Sequence, residues 1–587
     1  MSDNEPIKDK ITFLGKIDYR NKQTVFGIKE KDRTRHTYVI GKTGMGKSTL
    51  LENMIIQDVQ NGEGICVIDP HGSLAEKLLD HIPPSRVKDV IYFAPFDTEA
   101  PIGLNVLEKV AKDKRHLVAN GIMAAFKKIW VDAWSARMEY ILTNIILALL
   151  ENDNQSLLGV NRMLTDKEYR KLMVSNVTDP TVKEFWEKEY ASYTEKFAAE
   201  AAPAIQNKVG QFVGNPLIRN IVGQEKTSID LREVMDTKKI LIVNLSKGKV
   251  GEGNANLIGS LLITKIYLAA MSRADVGPYE LEKLPPFFMY VDEFQNFANE
   301  SFANILSEAR KYNLALTVAH QYVEQMTDEV KAAVFGNVGT MITFRVGATD
   351  AEIFEKEFAP VFVMDDLVNL SAYQIYLRLM IDGQGSKPFS AHTLPAMQAP
   401  LHSSAEEVIA HSRRAYGKPM HEVEEEINRF YQPVVREEKK KEYVPLKQVE
   451  VRQIRNDTPL PQKRYEDRPY IKKEEVLPQR EASVYVAQKD RQPLQRSSPS
   501  SSASPSPSPI GRRDDYRRPQ HSDRPERPQI QTPSHFDEKP AMSLKDALSK
   551  AMTEHNPLPQ ETKQEEDIRI KKEVSEEILR KLVEDEA

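Results

Sequence analysis

Residues 41–48 read GKTGMGKS, a GxxxxGK[ST] loop with no departure from the pattern. Such a loop wraps phosphate oxygens with backbone N–H groups only when a strand delivers the chain into it and a helix carries the chain out. The flanks comply: HTYVI at 36–40 supplies the strand, and the residues from Ser48 to Gln60 supply the helix. The loop therefore assigns Gly41, Lys42, Thr43, Gly44, Met45, Gly46, Lys47, Ser48 and Thr49 to nucleotide phosphates. Lys47 reaches the β- and γ-phosphates, Ser48 binds Mg²⁺ and Thr49 contacts the α-phosphate. ATP and Mg²⁺ are the expected cofactors.

The rest of the first 432 residues agrees with an α/β fold. Near-continuous apolar runs occur at 37–40, 65–69, 90–93, 240–244, 287–292, 314–318 and 340–344. Strands of this kind are covered on both faces, which predicts a mostly parallel sheet between helices. The run at 287–292 ends in adjacent carboxylates, Asp292 and Glu293. At the carboxyl end of a strand they border the ligand crevice, where Asp292 can hold the metal through water and Glu293 can polarise the attacking water. Downstream, the run at 314–318 leads into His320 and Gln321. Gln321 is a candidate sensor of the γ-phosphate or water, with His320 as a hydrogen-bonded neighbour. Arg310, on the preceding helix, is a candidate for acting on a neighbouring subunit's nucleotide, and Arg345 is its rival. The DPHG turn at 69–72 has no second His or Cys at ligand spacing. It reads as a tight turn at the sheet's carboxyl edge, with Asp69 near enough to tune the site.

Between 105 and 225 the pattern changes to helices that hold all three tryptophans, Trp130, Trp134 and Trp186. The expected organisation is an N-terminal segment (1–34), the first part of the core (35–104), an all-α insertion (105–225), the second part of the core (226–400) and a helical extension (401–432). From Pro433 onward 155 residues contain 18 of the 35 prolines and one glycine, Gly511. With 31 basic and 29 acidic residues and no sustained apolar periodicity, that stretch cannot offset its ordering entropy. A disordered Pro/Ser-rich linker is expected at 433–540, mildly basic within 447–527. Short amphipathic helices are expected at 541–587, a form suited to docking. The one cysteine, Cys66, excludes an intramolecular disulfide framework and a Cys-based zinc site. No run reaches the roughly 18 apolar residues of a membrane span, because Lys265 interrupts 257–271, and a cytoplasmic protein is expected.

The series RHTYVIGKTGMGKST (35–49), VIDPHG (67–72), Gly103-Leu104-Asn105, YVDEF (290–294), ARKY (309–312) and AHQ (319–321) resembles the HerA–FtsK superfamily. Within it the chain is most similar to the TraG/TraD-like coupling ATPases of conjugative DNA transfer and type IV secretion, over about residues 30–400. The resemblance implies a RecA-like core in hexameric rings that hydrolyse ATP to move DNA or nucleoprotein through a central channel, with an arginine finger in trans. It gives Lys47, Ser48, Asp292, Glu293 and Gln321 the roles above. Coupling proteins usually begin with transmembrane helices, which this chain does not show, so a place at the inner face of the membrane would depend on secretion or channel proteins, reached through the C-terminal tail. Before Pro433 there are 50 basic and 57 acidic residues, so DNA binding would need a local basic patch. A secretion or pilus-assembly ATPase acting on protein without DNA would use the same active site. A non-enzymatic scaffold would not need the water-activating acid.

Overall fold

The computed structural model describes residues 10–433 apart from 20–21, 109, 132–133 and 194. The expectations for the linker and docking helices from 434 to 587 lie outside the described residues. An 11-stranded sheet organises the rest. Its strands are β1 (Ile11–Tyr19), β2 (Lys22–Lys29), β3 (Thr37–Ile40), β4 (Gly64–Asp69), β5 (Val90–Phe93), β6 (Ile240–Asn244), β7 (Phe287–Val291), β8 (Leu314–His320), β9 (Thr340–Thr343) and β10 (Gln374–Arg378). A two-stranded ribbon, β11 (Met380–Ile381) with β12 (Gln384–Gly385), precedes the last sheet strand, β13 (Phe389–Thr393). The order is β2-β1-β13-β10-β9-β3-β8-β7-β4-β6-β5.

The sheet is mixed. The seven strands from β9 to β5 in that order pair in parallel, and they are the seven apolar runs read from the sequence. The other four, β10, β13, β1 and β2, extend the β9 edge in antiparallel pairs. The residues before the first apolar run are therefore part of the sheet, paired with a strand more than 370 positions away (Gly15 opposite Thr393).

Alternation splits the core into two layers, one per sheet face. Val39, Ile65, Val67 and Tyr290 face the helices Lys47–Gln60 and Ser73–Asp80. Tyr38, Cys66, Ile68 and Phe93 face the other way, into a layer continuous with the helices between β5 and β6. Those helices run from Arg115–Ile129 to Leu231–Asp236. The joint is made where Arg115–Ile129 packs on Glu252–Met271, with Gly121 so close to Thr264 that a Cβ would lie 2.3 Å from Cγ2. Glu252–Met271 departs from the sequence reading. With the 3-10 turn Ser272–Val276 that continues it, the helical stretch Glu252–Val276 is long and apolar enough to span a bilayer by length and composition, Lys265 included, yet 61% of its apolar window is buried inside the protein. Lys265 is accommodated by the Asn105 carbonyl (2.6 Å) and Thr227 Oγ1 (2.7 Å).

A buried ion pair fixes the phosphate-loop helix to the sheet. Arg33 donates to both carboxylate oxygens of Asp58 (2.6 and 2.7 Å), to Tyr290 OH and to Thr12 Oγ1. Asp58 lies on the helix that begins with Lys47, and Tyr290 lies two residues before Asp292. Arg33 and Asp58 are 3% and 0% exposed, so each depends on the other for charge compensation.

Candidate nucleotide site

The phosphate loop leaves the carboxyl end of β3 between β8 and β9. Both neighbours hold it: Gly41 N–H donates to the His320 carbonyl (3.4 Å), and Lys42 N–H donates to the Arg345 carbonyl (2.8 Å). Gly41, Gly44 and Gly46 have φ of 157°, 77° and 113°, backbone that L side chains rarely adopt. At Gly41 a Cβ would lie 2.5 Å from Phe344 Cβ, so space also demands glycine there. The helix Lys47–Gln60 opens on Gly46, and its first N–H groups have no carbonyl a turn earlier to bond. Ser48 and Thr43 are exposed and Thr49 is half-buried.

Lys47 is buried, its Nζ donating to the carbonyls of Gly41 (2.6 Å) and Lys42 (3.3 Å). Burial lowers its pKa, opposed by the charges of Glu293 and Asp292. Those carboxylates close the other wall, buried at the end of β7. Asp292 is pushed up to about 6 by burial first, then by the charges of Glu293 and Asp69. Its Oδ1 accepts the Glu293 N–H (3.0 Å). Glu293 has a left-handed backbone, φ 46°, a conformation that stores strain in a non-glycine residue and clusters at functional sites.

The Glu293 carboxylate is held on both sides. Gln321 Nε2 donates to Oε1 (2.8 Å) and Gln295 Nε2 donates to Oε2 (2.7 Å). Gln321 Oε1 in turn accepts from Thr43 Oγ1 (3.1 Å). A continuous chain thus runs from the phosphate loop through Gln321 to the acid. Gln295 escaped the sequence reading, since a glutamine two residues past an acid carries no spacing signal; only the turn that follows β7 brings it back.

The remaining candidates separate. His320 bonds Tyr38 OH through Nε2, and burial lowers its pKa to about 3, with a further contribution from Lys47; it is a neutral neighbour. Asp69 accepts the N–H groups of His71 (2.8 Å) and Ala75 (3.0 Å), closing the tight turn and opening the next helix while its charge reaches Asp292. Arg345 borders the loop and contributes its carbonyl. Arg310 lies in the turn before β8, at the amino end of the strands, where its charge is felt by His36. It is exposed on the edge opposite its own chain's phosphate loop.

These residues fit a Mg²⁺ nucleotide: glycine-shaped backbone, a helix N-terminus, a buried ammonium resting on two carbonyls, an exposed Ser48 hydroxyl and a buried carboxylate pair. A family model described as the type IV secretion-system coupling protein DNA-binding domain matches residues 23–359, more than half of the chain. Solved structures that the chain matches include the plasmid coupling protein TrwB in complex with ADP and Mg²⁺, at 14% identity and TM-score 0.48, covering 68% of this chain and 97% of that one. Another is TrwB with the ATP analogue ADPNP, at 15% identity and TM-score 0.47, covering 63% and 87%. A third is VirB4 of Thermoanaerobacter pseudethanolicus, at 15% identity and TM-score 0.44, covering 65% and 96%. No curated protein matches the sequence.

Proposed function

The chain belongs to the family of type IV secretion-system coupling protein DNA-binding domains, and from that premise we propose that it is an ATP-hydrolysing ring motor that moves DNA or a nucleoprotein substrate into a secretion or conjugation-like channel. The observation that carries the reading is the chain Thr43–Gln321–Glu293. It ties the phosphate loop to the carboxylate that would take a proton from water. A module that only bound nucleotide would have no use for that link.

In this mechanism the loop backbone from Gly41 to Gly46 and the N–H groups opening the next helix cradle the phosphates. Lys47 exchanges its carbonyl partners for β- and γ-phosphate oxygens. Ser48 and Asp292 would hold Mg²⁺, which neutralises phosphate charge when bound. Glu293, oriented by Gln321 and Gln295, accepts the proton of the attacking water. Gln321 reports phosphate occupancy from Thr43 to the base. Arg310, exposed on the opposite edge, is suited to completing a neighbour's site in a hexameric ring, with Arg345 as the other candidate. DNA would be held through its phosphates, independent of sequence, by a local basic patch on an otherwise slightly acidic core. The C-terminal stretch would recruit channel proteins and hold the motor at the cytoplasmic side of the membrane.

The test is steady-state ATP hydrolysis by the full chain at low salt, with and without single- and double-stranded DNA, alongside Lys47→Ala. The expected result is hydrolysis lost in the variant and stimulated several-fold by DNA, the stimulation fading as salt is added. Hydrolysis indifferent to both DNAs would overturn the DNA motor and favour a protein-export ATPase. No hydrolysis above Lys47→Ala would overturn both.

A further inference from the structure

The phosphate loop has two flanks, and the chemistry assigned so far occupies only one. On the β8 side stand Gln321 and, beyond it, Asp292 and Glu293. A nucleotide is a directional ligand. If its γ-phosphate faces those groups, its nucleoside must extend away from them, toward the β9–β10 side. Tyr373 stands there, immediately before β10, outside the residues that the family model matches.

Five observations bear on its role. Its N–H donates to the Met45 carbonyl (2.9 Å), so its backbone is fastened to the loop itself. Its own carbonyl accepts the N–H of Thr393 (2.9 Å), which pins it from β13 as well. The ring lies against Gly46: a Cβ on that glycine would sit 2.8 Å from Tyr373 Cδ1. Yet the residue is 50% exposed, so an aromatic surface is held open beside the last glycine of the loop. Its φ is 65°, left-handed backbone that costs a bulky residue stability unless the surroundings over-determine it. A glycine would take this conformation without strain, and a polar residue would suit its exposure. A strained, half-exposed tyrosine satisfies neither local preference.

We propose that Tyr373 is the nucleoside platform of the site, its ring packing against the base of the bound ATP. The inference rests on the nucleotide-binding reading above and adds the residue that would grip the organic half of the ligand. Packing on an aromatic face does not read base edges, so the contact supplies affinity rather than base selection.

The experiment compares two ligands, Mg²⁺-ATP and inorganic tripolyphosphate, by calorimetric titration of the full chain. Tyr373→Ala and Tyr373→Gly should each raise the Kd for ATP about 5- to 150-fold, the range that base–aromatic stacking commands. Tripolyphosphate affinity should stay within twofold. Tyr373→Phe should keep ATP affinity within twofold. The glycine variant matters because it adopts φ 65° freely and retains the N–H that holds Met45, separating the ring from the backbone. Unchanged ATP affinity in Tyr373→Gly would overturn the proposal. Equal losses for ATP and tripolyphosphate would overturn it too, by showing that the tyrosine only shapes the loop. Failure of the unsubstituted chain to bind ATP would instead remove the nucleotide reading on which the proposal stands.

Discussion

Asp292 should be a stability liability that its proposed role in holding Mg²⁺ requires, and Asp292→Asn tests this. The carboxyl is buried and titrates near 6 rather than at its ordinary value of 3.8, because burial comes first and the charges of Glu293 and Asp69 add to it. For an acid with a raised pKa the native state prefers the proton. Its contribution is therefore fully present below about pH 4 and is lost as pH rises through about 6. The shift of roughly two units corresponds to at most ~3 kcal/mol of destabilisation at pH 8. Asparagine removes the charge while its carbonyl can still accept the Glu293 N–H that now meets Oδ1. The new amide hydrogens offset part of the gain, about 1 kcal/mol if they find no partner. With nucleotide and divalent ions removed, Asp292→Asn should gain about 2 kcal/mol at most on the unsubstituted chain between pH 4.5 and pH 8, because about 1 kcal/mol of the ~3 is already lost at pH 4.5 and the pH-independent amide cost cancels in the subtraction. Over a core of roughly 420 residues that is a Tm difference of about 2 °C. Scanning calorimetry at both pH values reads it, and subtraction cancels every group unaffected by the substitution. Mg²⁺ and nucleotide should reverse the order, because a divalent ion favours the ionised carboxylate. A variant no more stable at pH 8 than at pH 4.5, relative to the unsubstituted chain, would refute the argument.

Two further outcomes follow from named contacts. Glu293→Gln should bind ATP within a few-fold of the unsubstituted chain but hydrolyse it at least about 100-fold more slowly in single-turnover assays; normal turnover would remove Glu293 as the base. Arg33→Met should lose about 3–5 kcal/mol in denaturant unfolding, since it strands Asp58 as a buried unpaired charge. Arg33→Met with Asp58→Leu should recover most of the loss, and a single-variant loss below about 1 kcal/mol would show that the pair is dispensable.

The parallel half of the sheet was legible because strands buried on both faces announce themselves as apolar runs, and all seven did. The antiparallel edge was not, for a physical reason. β10 alternates buried and half-buried positions, and β13 reads FSAHT, with only Ala391 and Thr393 buried. Short strands with one covered face give few apolar residues to count. They become strands because partners distant in sequence supply the hydrogen bonds, and β1 finds β13 only in the folded chain. The site divides in the same way. Lys47, Ser48, Asp292, Glu293 and Gln321 occupy the ends of runs visible in the sequence, and the loop, the acid pair and the glutamine meet as those runs imply. Gln295 and Tyr373 reach the site by tertiary placement: a turn folds one glutamine back onto Glu293, and the antiparallel edge carries a tyrosine onto Gly46. The edge that local sequence could not reveal is therefore the element that fastens the second flank of the phosphate loop. It also explains why Arg33, Asp58 and Tyr290 matter to the site though none faces it. They fix the helix that starts at Lys47 against the strand that leads into Asp292, and the proposed water-activating centre would depend on that spacing being set before substrate arrives.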